Sequence, residues 1–394
     1  MIFCLICPHV DMDLRSASGP SVILRKTQYG ADTTAIKCWV LPQYYQRTTS
    51  RRANRIRAAK LRNIIKVVIA AFILWPVSAM ADPIKLTLSF FTSDRSNIYQ
   101  NSIKPFVDAV NEEGRGLIEI EIFFSGAISK VQSQQPVLVA DGTVDLAIIV
   151  PGQLPDRFTN NAVIELPGLY RDSREASTVF TQLVAANALN GYSDYVVVGA
   201  FVSENESIHS RKPINSIDDL KDLVVRTNNR MEAAALERLG AVPILMPINQ
   251  TTAAVSRGNI DAATLPPSML FEFGVGRVTS HHFMLRLGGA PTALVMNRKK
   301  FDSLPPKAQA IIRKYGSGWL SEVSAAGMGK IDALVREELK ADARRNVVIP
   351  SSAEMAIAQA AFESVISDWS ASSAHNRELL TLVKSELSRL RSGQ

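Results

Sequence analysis

Apolar and polar residues alternate with a period of two over 84–90 (Ile84, Leu86, Leu88, Phe90) and again over 117–124 (Ile118, Ile120, Ile122, Phe124). That period predicts two half-buried strands. Between them, Ile98, Ile103, Phe106, Val107 and Val110 fall on one side of a helix over 97–113 that stops at Gly114. A helix over 133–141 ending at Asp141-Gly142 and a wholly apolar strand over 145–150 complete a β-α-β-α-β order, which argues for an α/β domain with a largely parallel sheet. A helix over 173–190 and a strand over 195–201 follow.

The pattern then starts again. Ser216-Ile217-Asp218-Asp219 has the form of a helical cap. After it come a strand over 223–226, a helix over 231–239 closed by Gly240, a strand over 241–246, a helix over 251–257 stopped by Gly258, and a strand over 260–265. Two such units in tandem predict two similar domains joined by short crossings. Beyond 305 the chain reads as helices. One, over 317–340, contains no proline and would span about 35 Å, long enough to lie across both domains. Two more helices are predicted over 353–369 and 378–390.

The whole chain carries 44 Lys+Arg against 37 Asp+Glu, a balance that invites a nucleic-acid reading. Its distribution removes that reading. Residues 1–81 hold twelve of the basic residues and three of the acids, so the following 313 carry 32 and 34, and no nucleic-acid partner is expected. Residues 51–81 have the layout of a signal peptide: a basic stretch from Arg51 to Lys66, an apolar run Val67–Trp75 too short for a membrane span, Pro76, and Ala79-Met80-Ala81 as the cleavage site before Asp82. Residues 1–50 are read as an extension, either a start placed too far upstream or a disordered segment. All three cysteines (Cys4, Cys7, Cys38) fall in it, so the mature chain has no disulfide, thiol nucleophile or Cys-type metal site.

Searches for catalytic motifs return little. No G-x-S-x-G, P-loop or G-x-G-x-x-G follows a strand, and His281 and His282, adjacent on a strand, face opposite ways and cannot share a metal. No catalytic residue, metal or cofactor is expected. Arg226 is the one local signal. It closes a predicted strand at the carboxyl end, the edge that faces the ligand crevice in α/β sheets, and its planar fork suits a carboxylate.

The ordered set Asp141-Gly142-Thr143-Val144-Asp145, Ile164-Glu165-Leu166-Pro167-Gly168-Leu169-Tyr170-Arg171-Asp172, Lys212-Pro213-Ile214-Asn215-Ser216-Ile217-Asp218-Asp219-Leu220, Val224-Val225-Arg226, Leu239-Gly240-Ala241-Val242-Pro243, Arg257-Gly258-Asn259-Ile260-Asp261 and Met296-Asn297 with Leu304-Pro305 resembles the DctP-like solute-binding components of tripartite ATP-independent periplasmic (TRAP) transporters over residues 82–350. The resemblance implies a type II periplasmic-binding-protein fold of two α/β domains, hinged by crossing strands and spanned by one long helix. It divides the mature chain into domain I, residues 82–203 plus 292–331, and domain II, residues 204–291 plus 332–394.

It also implies a periplasmic monomer that captures a small organic carboxylate in the inter-domain cleft and delivers it to the small and large membrane permease subunits, with Arg226 as the carboxylate-binding arginine. The expected ligand-binding set is Arg226, Asn228, Phe91, Val150, Pro151, Leu265 and Arg286. The sequence departs from the family where many members carry a second arginine and this chain reads Glu204-Asn205-Glu206-Ser207. It departs again at Ala263-Thr264-Leu265 and Val150-Pro151-Gly152, so the expected pocket is apolar with one cation, fit for a monocarboxylate or aromatic acid. A binding protein of another importer class and an exported enzyme on the same scaffold are the alternatives.

Overall fold

Leu146, Ala147, Ile148 and Ile149 are all buried, on a strand flanked by neighbours on both sides. This strand is the middle of the first of two sheets in the computed structural model, which describes residues 82–393; the extension and signal peptide expected over 1–81 lie outside the described residues. The first sheet has the order β2-β1-β3-β10-β4, formed by β1 (Ile84–Ser89), β2 (Ile118–Phe123), β3 (Leu146–Ile149), β4 (Tyr195–Val202) and β10 (Pro291–Asn297). The second has the order β11-β9-β5-β8-β6-β7, formed by β5 (Ser207–Ser210), β6 (Val224–Thr227), β7 (Val242–Leu245), β8 (Ala262–Leu265), β9 (His281–Phe283) and β11 (Asn346–Val348).

Both sheets are largely parallel, as expected, each with one reversed strand, β10 in the first and β5 in the second. β1 runs parallel to β2 and β3, whereas β10 is antiparallel to both β3 and β4. In the second sheet β6 is parallel to β7 and β8, while β5 is antiparallel to β8 and β9. The antiparallel members are the strands by which the chain passes from one sheet to the other, so their direction is set by the crossing and not by a βαβ return.

The two crossings lie side by side. Ser203 N donates to Ala290 O (3.0 Å), Glu206 N to Gly288 O (2.7 Å) and Leu287 N to Glu206 O (3.2 Å). Gly289 is required here, because a Cβ on it would lie 2.2 Å from the Ser203 carbonyl oxygen.

Strand alternation splits the first sheet's core in two. Leu146, Ile148, Leu86, Leu88, Leu294 and Met296 pack against Phe106 and Val110 of helix α1 (Lys104–Glu113). Ala147, Ile149, Ala293 and Val295 pack on the other face against Val179 and Phe180 of α3 (Ser173–Ala185); α2 (Gln135–Ala140) lies between these helices in the chain. One face of the second sheet is covered by α4 (Arg230–Arg238) through Ala235 and Leu236, and the other by α5 (Ile248–Arg257), which ends at Gly258 in the left-handed conformation, and the short α6 (Pro267–Leu270).

After α7 (Arg298–Ser303) and α8 (Pro306–Tyr315), the long helix α9 (Ser317–Ala341) spans both sheets. Its Leu320 lies in the first sheet's core, and its Leu339 in a cluster with Ala263, Leu265 and Met284 of the second. α10 (Ser352–Ala371) lays Phe362 and Val365 on the second sheet's core. α11 (Ala374–Ser392), expected with the second domain, instead packs Leu379, Leu380, Val383 and Leu387 on the first. The corner between α10 and α11 carries the chain back over the first sheet, a return that a helical period cannot encode.

Candidate functional site

The β6 sequence Val224-Val225-Arg226-Thr227 carries an arginine where its neighbours are apolar, and the strand buries it all the same: Arg226 is 1% exposed. The sheet supplies its partners. Nε donates to Met246 O (2.8 Å) beyond β7, Nη1 to Thr264 O (2.9 Å) on β8, and Nη2 to Asn228 Oδ1 (3.3 Å). A guanidinium has five N–H donors. One on each terminal nitrogen therefore has no partner among the described residues, and the pair forms a two-point fork.

Asn228 connects this centre to the first sheet. Gln153, in the turn after β3, donates to Asn228 O (2.8 Å) and to Asn228 Oδ1 (2.9 Å). The lobes also meet where Asn97 N donates to Glu272 Oε2 (2.8 Å) and Asn97 Nδ2 to Ser268 O (2.6 Å).

The surroundings of the guanidinium correct the expectation of an apolar pocket. Glu206 and Glu232 are 3% and 2% exposed, and both act on Arg226 through their charge. Glu206 stands on the first crossing; Glu232 stands in the first turn of α4, where Asn229 caps the helix by accepting from Glu232 N (2.8 Å) and Asn228 N donates to Glu232 Oε2 (2.8 Å). Burial pushes Glu206 well above the usual carboxylate range and also raises Glu232, while burial lowers Arg226 against the pull of the two acids.

A third acid, Glu165, is pushed up to about 8 by burial and by Glu232. It packs against Gly152, where a Cβ would lie 2.2 Å from Glu165 Oε1. Beside it, Pro151, Gly152, Glu165, Arg230, Met231 and Trp369 line a cavity of about 190 Å³ that Arg226 does not line.

Of the seven residues expected from sequence, Arg226 and Asn228 are in hydrogen-bond contact. Val150 and Pro151 stand at the carboxyl end of β3, next to the Gln153 that reaches Asn228, and Pro151 faces the cavity. Phe91, just past β1, is half-buried and stacks on Phe90 (ring centroids 6.0 Å apart) in the first sheet's core. Leu265 on β8 is buried in the cluster with Leu270, Val275 and Leu339, and what Arg226 Nη1 meets on that strand is the backbone carbonyl of the preceding Thr264. Arg286 is exposed and has no polar partner among the described residues.

Sequence reasoning missed Glu165, Glu206, Glu232 and Gln153 as members of the centre. Only Asn229-x-x-Glu232 carried a local signal, that of a helix cap. His209 and His282 form a second buried polar pair, Nδ1 to Nδ1 at 2.8 Å, extended by Leu265 O (3.1 Å) on one side and Arg345 Nη1 (3.2 Å) on the other. Burial and the Arg345 charge bring His282 down to about 4, and burial beside His282 holds His209 well below its ordinary value. Among the described residues no cluster of three or more His, Cys, Asp or Glu is placed to hold a metal, and no helix is long and apolar enough to cross a membrane.

Comparison with known proteins agrees with this geometry. The family model for DctP, the bacterial extracellular solute-binding proteins of family 7, matches residues 88–372. The 2,3-diketo-L-gulonate-binding periplasmic protein of Escherichia coli is 25% identical over 255 residues, 64% of this chain and 77% of that protein. A solved TRAP solute-binding protein from a marine metagenome, specific for aromatic acid ligands and holding 3-hydroxybenzoate, superimposes with a TM-score of 0.72 at 26% identity, over 78% of this chain and 99% of its own. Another, from Rhodoferax ferrireducens with copurified benzoate, gives 0.71 at 27% identity over 78% and 98%. The chain belongs to the family 7 bacterial extracellular solute-binding proteins, the ligand-binding components of TRAP transporters.

Proposed function

We propose that this protein binds a small organic monocarboxylate, foremost an aromatic acid, between its two lobes outside the cytoplasm. It then delivers that acid as a monomer to the small and large permease subunits of a TRAP transporter, after export by a signal peptide cleaved before Asp82. One observation carries the reading of the ligand: the buried Arg226 guanidinium, fixed by two carbonyls and Asn228, keeps two N–H donors without a partner among the described residues, beside the residues through which the lobes meet. A carboxylate accepts two parallel N–H bonds from such a fork, and closing the lobes over it strengthens the pair by excluding water. The aromatic acids held by the marine metagenome and Rhodoferax proteins support the class.

The test is thermal unfolding of the protein from Asp82 onward against a panel of aromatic, aliphatic and sugar acids. The cognate acid stabilises in proportion to the logarithm of its concentration, by about 2.7 kcal/mol at a hundredfold excess over Kd. Stabilisation by neutral sugars or peptides and by no acid would end the reading.

A further inference from the structure

Two carboxyl groups that touch must share a proton, because both are acceptors when ionised. The site offers such a pair. Glu206 and Glu232 act directly on one another, and Glu206 Oε2 and Glu232 Oε1 are buried with no donor among the described residues. The pair is reached by few other charges: Arg226 on β6, and Glu165 acting on Glu232 from the turn before Leu166; Thr264 on β8 adds a hydroxyl. With Glu165 protonated, the centre by itself holds one guanidinium and one negative charge spread over the pair. It is balanced before any ligand arrives.

We infer that this centre takes its ligand as a carboxylate together with a proton. As the carboxylate docks on Arg226, solvent supplies one proton to the Glu206–Glu232 pair, and Glu206 thereby selects for acids with a single negative charge. The inference rests on the reading of Arg226 as the carboxylate clamp. Its logic is charge balance in a buried volume. A docked carboxylate brings a second negative charge against one cation, in a place where water does not screen it. The charge that can leave is the one on the pair. Protonating it makes both acids neutral and leaves Arg226 to the ligand, with no covalent bond formed or broken. A second carboxylate on the ligand would find no cation there and would face the same acids.

The place of Glu206 in the chain adds to this. Its N–H donates to Gly288 O (2.7 Å) and its carbonyl accepts from Leu287 N (3.2 Å), so the group that changes protonation sits on the paired crossings between the lobes.

Calorimetric titration of the protein with 3-hydroxybenzoate and benzoate at neutral pH, repeated in phosphate, imidazole and Tris, tests the inference, because the dependence of the measured heat on buffer ionisation enthalpy counts protons. Uptake of about one proton per ligand is expected, with affinity falling about tenfold for each unit of pH increase. Isophthalate, which adds a second carboxylate, should bind far more weakly than 3-hydroxybenzoate. The double variant Glu206→Gln/Glu232→Gln, which imitates the doubly protonated pair, should abolish the uptake and flatten the pH dependence, whereas either single change leaves one ionised acid that still takes up the proton. The wild-type buffer series stands on its own should the double variant fold poorly.

Tight binding of the acid with no proton exchange overturns the inference and leaves the ligand class standing. Uptake that persists in the double variant places the proton elsewhere and also overturns it. Failure of every acid to bind removes the clamp reading, and the inference with it.

Discussion

The two sheets resemble each other in outline and differ in what they bury. Along β3 every residue is apolar and every residue is buried, and the faces of the first sheet are filled by leucine, isoleucine, valine and phenylalanine. The second sheet buries Arg226, Thr227, His209, His282, Thr264 and Ser207 among its strands. A buried polar group without a partner costs several kcal/mol, and the second sheet limits that cost by giving Arg226, His209, His282 and Thr264 hydrogen-bond partners. The difference teaches where function sits. One sheet holds the molecule together, while the other holds a guanidinium in place and supplies the carbonyls that fix its direction.

The comparison is broken most severely by exchanging the roles at their centres. Arg226→Ala removes one member of a buried charged arrangement, a change that costs about 3–5 kcal/mol in general, and should weaken binding of the cognate acid by two orders of magnitude or more. The fold should survive, because the Glu206–Glu232 pair can neutralise itself by protonation. Isothermal titration checks the point, and an unchanged Kd removes Arg226 from the site. Ile148→Ala on β3 should do the converse. Its side chain is fully buried between the strands and α1, so a loss of about 2–5 kcal/mol in unfolding free energy is expected, with the folded fraction binding the acid as before. Denaturant melts alongside titrations separate these two outcomes.

This asymmetry also explains what could be read from the sequence. The apolar runs of β1, β2 and β3 are visible because their burial is written in the residues themselves, and the 25 residues of α9 are visible because no proline interrupts them. Arg226 stood out for the same reason in reverse, a charge at the end of an apolar strand. Its partners did not. Met246, Thr264 and Asn228 contribute backbone or amide oxygens that any residue type could place, and Glu206 reaches the centre only because the two crossings pair at Gly288. The packing of α11 on the first sheet depends on the corner at Ser372, where the chain turns without proline or glycine.

The buried ionisable groups of both lobes should also make stability respond to pH. His282 titrates at about 4 in the fold, below the ordinary 6.5. The unfolded chain therefore binds more protons between these values, and stability must fall as the pH drops from about 6.5 to 4. The shift corresponds to about 3 kcal/mol. Glu165 behaves oppositely: raised to about 8 in the fold, it withdraws stability as the pH rises from its unfolded value toward 8. Unfolding free energies of the wild type and of His282→Gln across pH 4–7 check the first sign. If the two curves run parallel, His282 is not the group responsible.

Smaller effects sharpen the boundary between the sheets. Gln153→Ala deletes the two hydrogen bonds that tie the turn after β3 to Asn228. Such bonds contribute about 0.5–1.5 kcal/mol each, so the acid should bind up to about a hundredfold more weakly, chiefly through faster dissociation as the lobes reopen. Stopped-flow dissociation measures this, and an unaltered rate would mean that the contact does not hold the lobes shut.

Arg286→Ala marks the lower limit. Leu285 and Leu287 on either side are buried in the second sheet's core, so the backbone turns Arg286 away from that core into solvent. An exposed cation without a polar partner contributes mainly to long-range attraction of an anion, which salt at physiological strength screens within about 8 Å. Its removal should leave stability within about 0.5 kcal/mol and change affinity less than twofold at that ionic strength. Titrations of the variant at low and physiological salt decide the matter: a large loss persisting at high salt would place Arg286 beside the ligand and give the centre a second cation.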